Sequence, residues 1–284
     1  MAWLQINHKS NALHGNVTLN VVIPAEPPMF PRQRADFKTV YLLHGITGDN
    51  TDWLLNTDAA ALAQAADTCF VFISGGNGYY IDSAAGGAYS EYVGREVVEF
   101  TRRLLPLSPK RGDTTLAGYS MGGYGALYNG LKHFETFGHI IALSAADGIS
   151  NAVASGDAPN QYGFTRAFYR ALYGSDEAIA ALPQSEYFVA NLAARVLPEA
   201  KAKGLPLDLY FACGWNDFLA PVNRELKSRF DATGFPHFYE EGPGGHEWAF
   251  WQKFLRRGLE RIAPIPQFGM KGTPFWLSDP RDAE

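Results

Sequence analysis

Short apolar runs and amphipathic segments alternate along the chain. Runs with the length and pattern of strands occupy residues 16–24, 38–45, 68–76, 114–120, 138–146, 207–214 and 237–245. Segments with helical spacing lie between or after them, at residues 56–67, 90–105, 121–134, 223–234 and 247–262. Strands that alternate with helices build parallel units, so this order predicts an α/β protein whose mostly parallel sheet has helices on both faces.

Helix caps and prolines refine this pattern, and two segments interrupt the alternation of strands and helices. Asn56 or Thr57 is the expected N-cap of the first helix, and the proline-rich residues 24–37 predict a surface loop. Residues 147–205 form a long, partly helical insertion, and insertions of this length commonly cover sites. The tail, residues 263–284, has no periodicity. We interpret residues 1–284 as a single domain.

Composition narrows the class of protein. Of the 284 residues, 46% are hydrophobic and 19% charged, and the net charge is −5 with the basic residues scattered, which argues against nucleic acid as a partner. The N-terminal residues lack the pattern of a signal peptide, and no segment has the roughly 18 to 20 apolar residues of a membrane span. We therefore expect a soluble, cytoplasmic protein with no membrane partner.

The cysteine content indicates neither a disulfide framework nor a metal site. Cys69 and Cys213 each lie beside a strand-like run, with no CxxC pair and no histidine at ligand spacing. Free cysteine behaves as a small core hydrophobe. We expect two buried thiols and no metal.

The stretch "LAGYSMGG" contains the strongest chemical signal in the chain. Ser120 lies between Gly118 and Gly122, after a predicted strand and before a predicted helix, which is the context of a nucleophile elbow. Glycines at these positions allow a turn so sharp that a Cβ would clash, and the turn exposes the serine oxygen. The structural alternative is that Ser120 only caps the helix.

A serine nucleophile needs a base and an acid that orients the base. His139 and His237 open strands, whereas His246 lies in the loop "GPGGHEWAF" after the last strand, where it can reach Ser120. Asp217 follows the preceding strand and is the expected acid. Asp147, after the strand that ends near residue 145, is the alternative, and either aspartate could instead cap a turn or helix.

An oxyanion hole would complete the site with two backbone N–H groups. One is expected from Met121, the residue after the nucleophile. The other is expected from Ile46 in "YLLHGITGDNTDW", where Gly45 permits close approach. His44 ends a strand before Ser120 in the chain, and we interpret it as a structural hydrogen-bonding residue.

The motifs "HGITGDNTDW", "GYSMGGYGAL", "CGWNDFL" and "GGHEWAFW" together resemble the esterase D-like family of α/β-hydrolases, in particular its tributyrin esterase branch of short-chain carboxylesterases. The resemblance covers about residues 16–262 and implies the α/β-hydrolase fold, a small-molecule ester substrate and no cofactor. It implies a triad of Ser120, Asp217 and His246, with Ile46 and Met121 as oxyanion donors. The stretch "ISGGNGYYIDS" resembles the family's loop near the active site, which makes Asn77 and Tyr80 expected pocket residues.

The sequence leaves the substrate open. Bulky aromatic residues at the expected rim of the active-site pocket indicate a restricted pocket for short acyl chains: Trp53, Tyr79, Tyr80, Trp215 and Trp248. Each of them alone is also typical of a hydrophobic core. Where formylglutathione hydrolases have threonine-cysteine and histidine-serine-tyrosine, this chain has Thr47-Gly48 and His246-Glu247-Trp248, which argues against that branch. Feruloyl or acetylxylan esterase activity, acyl transfer and the role of an inactive binding module all stay open. The apolar tail suggests a homo-oligomer, or a tail folded on its own subunit.

Overall fold

The central sheet is parallel over most of its width. The structure, a computed structural model, describes residues 1–25 and 35–262. The strands are β1 (Ala2–Ser10), β2 (Gly15–Ile23), β3 (Lys38–Leu43), β4 (Thr68–Ile73), β5 (Thr114–Tyr119), β6 (His139–Leu143), β7 (Asp208–Gly214) and β8 (Phe238–Gly242). They form an eight-stranded sheet in the order β1-β2-β4-β3-β5-β6-β7-β8. Only the pairs β1 with β2 and β2 with β4 are antiparallel within it.

Helices follow most of the strands. The α-helices are α1 (Asp52–Asn56), α2 (Ala59–Ala65), α3 (Tyr89–Glu91), α4 (Val97–Leu104), α5 (Met121–Lys132), α6 (Ser150–Val153), α7 (Arg166–Tyr173), α8 (Asp176–Ala180), α9 (Val189–Ala202), α10 (Ala220–Thr233) and α11 (Trp248–Ile262). A π-helix (Tyr92–Glu96) joins α3 to α4, and two 3₁₀ turns occupy Arg111–Asp113 and Leu182–Gln184. Helices α6 to α9 lie within the predicted insertion.

The sheet is covered on both faces, as the alternating pattern predicted. Side chains along a strand point to opposite faces in turn. In β3, Val40 and Leu42 join a hydrophobic cluster with α2 and α11. Tyr41 and Leu43 join a second cluster with α5 and α9. The continuous apolar runs of the sequence are therefore strands buried on two sides, and the chain has the α/β-hydrolase fold.

The structure corrects several predicted boundaries. Strand β1 was not predicted, although its half-buried and exposed residues alternate as in a strand with one face toward solvent. The first predicted helix is two helices: Asn56 ends α1, and Asp58 precedes α2 as its N-cap residue. The strand predicted over 138–146 ends at Leu143, because Ser144 turns the backbone to a positive φ of 46°.

Some predictions fall outside the described residues. The tail 263–284 and residues 26–34 of the proline-rich loop belong to this group, so the single-domain organisation stays a prediction. Within residues 1–25 and 35–262, no helix is long and apolar enough to cross a membrane.

Candidate active site

Ser120 lies in a sharp turn between β5 and α5. Its backbone φ of 56° and ψ of −120° is a conformation that residues with a side chain rarely adopt. A Cβ at Gly118 would lie 2.2 Å from the carbonyl oxygen of Gly122, and a Cβ at Gly122 would lie 2.5 Å from the carbonyl oxygen of His44. Both glycines are therefore required by close backbone contacts, which hold the elbow in place.

The side chains of Ser120, His246 and Asp217 form one hydrogen-bonded chain. His246 Nε2 lies 3.0 Å from Ser120 Oγ, and His246 Nδ1 lies 3.0 Å from Asp217 Oδ2 and 3.2 Å from Oδ1. A carboxylate only accepts hydrogen bonds, so Nδ1 carries the imidazole proton. Nε2 is then free to accept the Ser120 hydroxyl proton. Loops after β5, β7 and β8 bring the three residues together at the carboxyl ends of the strands.

Asp217 is held ionised although its side chain is fully buried. Burial acts to raise the pKa of this carboxyl group, but hydrogen bonds from His246 and from the Leu219 N–H outweigh it and hold the pKa below its ordinary value. Among them, the Leu219 N–H donates to Asp217 Oδ1 over 2.8 Å. The carboxylate can therefore both orient His246 and stabilise its imidazolium form.

His44 braces the loop that follows β3. Its Nδ1 is 2.6 Å from the carbonyl oxygen of Gly45, and its Nε2 accepts the N–H of Gly75 over 2.9 Å. Tyr80 donates its hydroxyl to the carbonyl oxygen of His44 over 3.0 Å. Burial lowers the pKa of the His44 imidazole, and these contacts fit its neutral form. His44 thus has the structural position that the sequence predicted.

The two predicted oxyanion donors lie on segments that pack against each other. Met121 is the first residue of α5, where backbone N–H groups have no partner within the helix. Ile46 lies in the loop that continues from His44. Since Gly122 packs directly against the His44 carbonyl, the loop carrying Ile46 lies beside the start of α5.

The side chain of Asn77 is hydrogen-bonded to the loop that carries Ile46. Its Oδ1 accepts the N–H of Thr47, whose φ is +65°, over 2.7 Å. We expect Asn77→Ala to lower kcat about ten-fold, because loss of the acceptor loosens a strained residue next to Ile46, the predicted oxyanion donor. Asn56→Ala is the matched control, since the Asn56 amide donates to the backbone carbonyl of Asp52 within α1 over 2.9 Å and lies on an exposed surface. Steady-state kinetics of both variants test this, and equal rates would contradict it.

The predicted pocket aromatics divide into buried and exposed ones. Trp53 is 1% exposed and donates to the carbonyl oxygen of Leu43, and Tyr80 is 0% exposed. Both side chains therefore pack in the core, and contact of either with a substrate stays a prediction. Tyr79, also weighed at the rim, is 3% exposed. Trp215 is 58% exposed beside the acid loop.

Trp248 is half-buried. Its ring packs against Tyr119 and Trp251, with ring centroids 4.7 and 5.0 Å away. It therefore lies between the core and the surface near the base loop.

The alternative acid and bases lie elsewhere. Asp147 accepts the N–H groups of Ile149 and Ser150 over 3.1 and 3.0 Å, so it caps α6. His139 opens β6 and His237 precedes β8, which places both at the amino ends of strands, opposite Ser120. Of the residues weighed, the structure brings only Asp217 and His246 to the serine.

Two residues beside the triad were not predicted. Ser144 is fully buried, and its Oγ accepts the indole N–H of Trp251 over 3.0 Å. Phe218 is 58% exposed, and its ring centroid is 4.6 Å from that of His246. A lone serine and a lone phenylalanine carry no signal in a sequence, because only the fold gives them their neighbours.

Cysteine and metal chemistry offer no competing site in the part of the chain described. Cys69 and Cys213 are free and buried, as predicted, and burial raises the pKa of each thiol. Among residues 1–25 and 35–262, no group of three or more histidine, cysteine, aspartate or glutamate residues could hold a metal ion.

The serine lies at a strand–helix elbow and is hydrogen-bonded to a histidine, which is hydrogen-bonded in turn to an aspartate, both from later loops of this sheet. This arrangement defines a serine hydrolase of the α/β-hydrolase fold. Residues 10–262 match the family described as "Putative esterase", and the chain belongs to that family. The resemblance to esterase D-like enzymes is thus confirmed, and the protein is a carboxylic ester hydrolase.

Individual relatives agree with this assignment. The chain is 36% identical over 278 residues to an acetyl esterase of Caldicellulosiruptor saccharolyticus, covering 93% of this chain and 99% of the relative. It is similar in structure to the fluorophosphonate-binding serine hydrolase F of Staphylococcus aureus, with a TM-score of 0.78, 26% identity and coverage of 92% and 98% of the two chains. An S-formylglutathione hydrolase of the same organism gives a TM-score of 0.73 at 26% identity, with coverage of 92% and 98%.

Proposed function

We propose that this esterase hydrolyses short-chain acyl esters through an acyl-enzyme on Ser120. His246 is the general base and acid in this proposal, and Asp217 orients it. The single observation that carries it is the hydrogen-bonded chain from Ser120 Oγ through His246 to Asp217, with both links at 3.0 Å.

In the first half of the reaction, Ser120 Oγ attacks the ester carbonyl carbon while His246 Nε2 takes the hydroxyl proton. The carbonyl oxygen becomes an oxyanion, which the N–H groups of Ile46 and Met121 stabilise. The intermediate then collapses, the bond to the alcohol oxygen breaks, and His246 donates its proton to that oxygen. The alcohol leaves and the acyl group stays on Ser120.

The second half repeats these steps with water. His246 takes a proton from the water as the water oxygen attacks the acyl carbon. The bond between the acyl carbon and Ser120 Oγ then breaks, and His246 returns the proton to Oγ. The products are the free acid and the restored serine. An alcohol in place of the water would give acyl transfer by the same steps, so that reaction stays an alternative.

Similarity to an acetyl esterase at 36% identity supports a short acyl group and the tributyrin esterase branch. Two sequence features favour a short-chain ester over formylglutathione as the substrate. Gly48 follows Thr47, and Glu247-Trp248 follows His246, where formylglutathione hydrolases have other residues. Aromatic acyl groups, as in feruloyl esters, are the second candidate. Cytoplasmic location and homo-oligomerisation stay predictions.

The exposed aromatics suggest where the alcohol part lies. Because His246 gives its proton to the leaving oxygen, groups beside His246 face the alcohol side of the bond. Phe218 packs on the His246 ring and leaves 58% of its own surface exposed, and Trp215 in the same loop is equally exposed. A flat apolar alcohol would gain contact area there.

A substrate series tests the proposal. The substrates are p-nitrophenyl acetate, butyrate and octanoate, methyl ferulate and S-formylglutathione, with Ser120→Ala as the blank. We expect kcat/KM for acetate or butyrate to exceed that for octanoate by about ten-fold or more, because a restricted pocket rejects added methylenes. Preference for octanoate or methyl ferulate would overturn the short-chain assignment, and preference for S-formylglutathione would place the enzyme in the formylglutathione branch instead. A second assay distinguishes acyl transfer from hydrolysis: methanol is added to the reaction, and the methyl ester that forms is measured.

A further inference from the structure

Tyr119 joins the nucleophile elbow to the loop that carries Ile46. It is the last residue of β5, directly before Ser120, and its side chain is buried. Its hydroxyl donates to Asp52 Oδ2 over 2.6 Å. Asp52 is the first residue of α1 and follows the loop after β3, so this bond connects segments that are 67 residues apart in the chain.

The chemistry of the two groups makes this a strong bond with a defined donor. Burial of the side chain and the bond to the Asp52 carboxylate raise the pKa of Tyr119, so its hydroxyl keeps the proton and donates it. A hydroxyl that donates to a carboxylate at this length makes a charge-assisted bond, about twice as strong as one between neutral groups. The bond is therefore a firm link between the elbow and the loop.

The same two side chains contact the backbone before and after Ile46. A Cβ at Gly45 would lie 2.5 Å from the Tyr119 ring, so this ring packs directly against the residue before Ile46. A Cβ at Gly48, two residues after Ile46, would overlap the Asp52 carboxylate. Both members of the hydrogen bond are therefore in contact with the segment whose N–H is the expected oxyanion donor.

Three tryptophans hold the ring of Tyr119 in place. The ring stacks on Trp251, with centroids 4.2 Å apart at 26°. It meets Trp248 and Trp53 edge to face, with centroids 4.7 and 5.3 Å away. Trp251 in turn meets the His246 ring edge to face at 4.9 Å and 88°. A close-packed ring has little freedom to move, so the tyrosine hydroxyl has a fixed direction.

We propose that Tyr119 and Asp52 are positioning residues, whose hydrogen bond sets the distance between the two oxyanion donors. Met121 follows Tyr119 by two residues on the elbow, and Ile46 lies on the loop between β3 and Asp52. Both N–H groups must point at one oxygen atom, so a displacement of about 1 Å in either weakens the pair severely. This role rests on the proposed function, in which the two N–H groups bind the oxyanion.

Loss of the bond has a consequence that separates positioning from general stability. The oxyanion forms only in the transition state, so displaced donors slow the chemical step and leave substrate binding unchanged. A trifluoromethyl ketone reports the same effect at equilibrium. Its carbonyl carbon forms a bond with Ser120 Oγ, His246 takes the hydroxyl proton, and the carbonyl oxygen becomes an oxyanion that needs both donors.

The first test compares Tyr119→Phe, which keeps the ring, with the wild type. The substrate is p-nitrophenyl butyrate and the inhibitor is trifluoromethyl propyl ketone. We expect kcat about 20-fold lower at an unchanged KM, a fraction of the roughly 100-fold or more that removal of an oxyanion donor costs. The inhibition constant of the ketone should rise by a similar factor, about 20-fold, because its oxyanion uses the same donors.

Variants of Asp52 test the bond from its other side. Asp52→Ala removes the acceptor and should match Tyr119→Phe, whereas Asp52→Asn keeps an acceptor oxygen and should lower kcat by no more than about three-fold. The double variant Tyr119→Phe/Asp52→Ala should be no slower than either single variant, because both remove the same bond. Losses that multiply in the double variant would overturn the proposal. If Tyr119→Phe does not fold, the difference between Asp52→Ala and Asp52→Asn decides.

Tyr210→Phe is the matched control. Tyr210 is also a buried tyrosine that donates to a carboxylate, Glu240 Oε2, over 2.9 Å. It pairs with Phe238, the first residue of β8, and so lies toward the amino ends of the strands, away from Ser120. This variant should lower the melting temperature and leave kcat and the inhibition constant unchanged. The proposal is wrong if Tyr119→Phe also leaves both unchanged, or if Tyr210→Phe changes them equally.

Ser120→Ala separates the positioning role from the proposed function. Retained activity in Ser120→Ala would contradict the triad itself. Loss of activity in Ser120→Ala together with normal kinetics in Tyr119→Phe would contradict only the role of Tyr119 and Asp52.

Discussion

Ser120→Ala should lose ester hydrolysis on the order of a million-fold in kcat, since the acyl-enzyme cannot form without the hydroxyl. The variant keeps a Cβ at the elbow, so the backbone strain at φ 56° is unchanged. Only the bond to His246 is removed, and the free energy of unfolding should change by no more than about 1 kcal/mol. Rates on p-nitrophenyl butyrate and thermal unfolding measure the two effects separately.

Covalent labelling gives an independent readout of the same residue. A fluorophosphonate should add one phosphonyl group to the wild-type protein, at Ser120, with loss of fluoride, and none to Ser120→Ala. Intact mass and peptide mapping show where the group is attached. Labelling at another residue, or hydrolysis that survives in the variant, would remove Ser120 from the role of nucleophile.

Asp217→Asn should lower kcat by about 10⁴-fold while leaving the protein folded. Asp217 accepts bonds on one side from the Leu219 N–H and on the other from His246 Nδ1. In the variant, the amide oxygen must accept the Leu219 N–H, which turns the amide NH₂ toward His246. Nδ1 must then accept, the proton moves to Nε2, and Nε2 can no longer take the proton of Ser120.

Asp147→Asn is the matched control for this prediction. Both aspartates follow parallel strands, and both were candidates for the acid in the sequence, but Asp147 caps α6. Its variant should keep kcat within a few-fold of the wild type, with any loss confined to stability at the N-cap. A large fall in kcat for Asp147→Asn with a small one for Asp217→Asn would reverse the assignment of the acid.

The strand and helix pattern could be predicted from the sequence because most of the sheet is buried on both faces. Continuous apolar runs such as residues 68–76 and 114–120 follow directly from that burial. Strand β1 has no continuous apolar run, and its alternation of half-buried and exposed residues was not read as a strand. The elbow could also be predicted, because Gly118 and Gly122 are needed for contacts made within a few residues of Ser120 and with the β3 end.

The surroundings of the triad could not be predicted in the same way. Trp53 and Tyr80 were expected in the pocket, and both are core residues, because an aromatic side chain has the same composition signal in either place. Ser144 and Phe218 gave no signal at all, although one lies behind the acid and the other on the base. Their neighbours come from strands and loops distant in the sequence.

The sequence by itself therefore determined the layered architecture, the family and the chain order of serine, acid and base, since periodicity and short motifs are local properties. The tertiary structure decided which aromatics are core, which aspartate caps a helix, and how Trp251 packs between His246 and Tyr119. Those outcomes depend on which side chains the packed strand ends bring within a few ångströms of one another, and contacts of that range are set only by the complete fold.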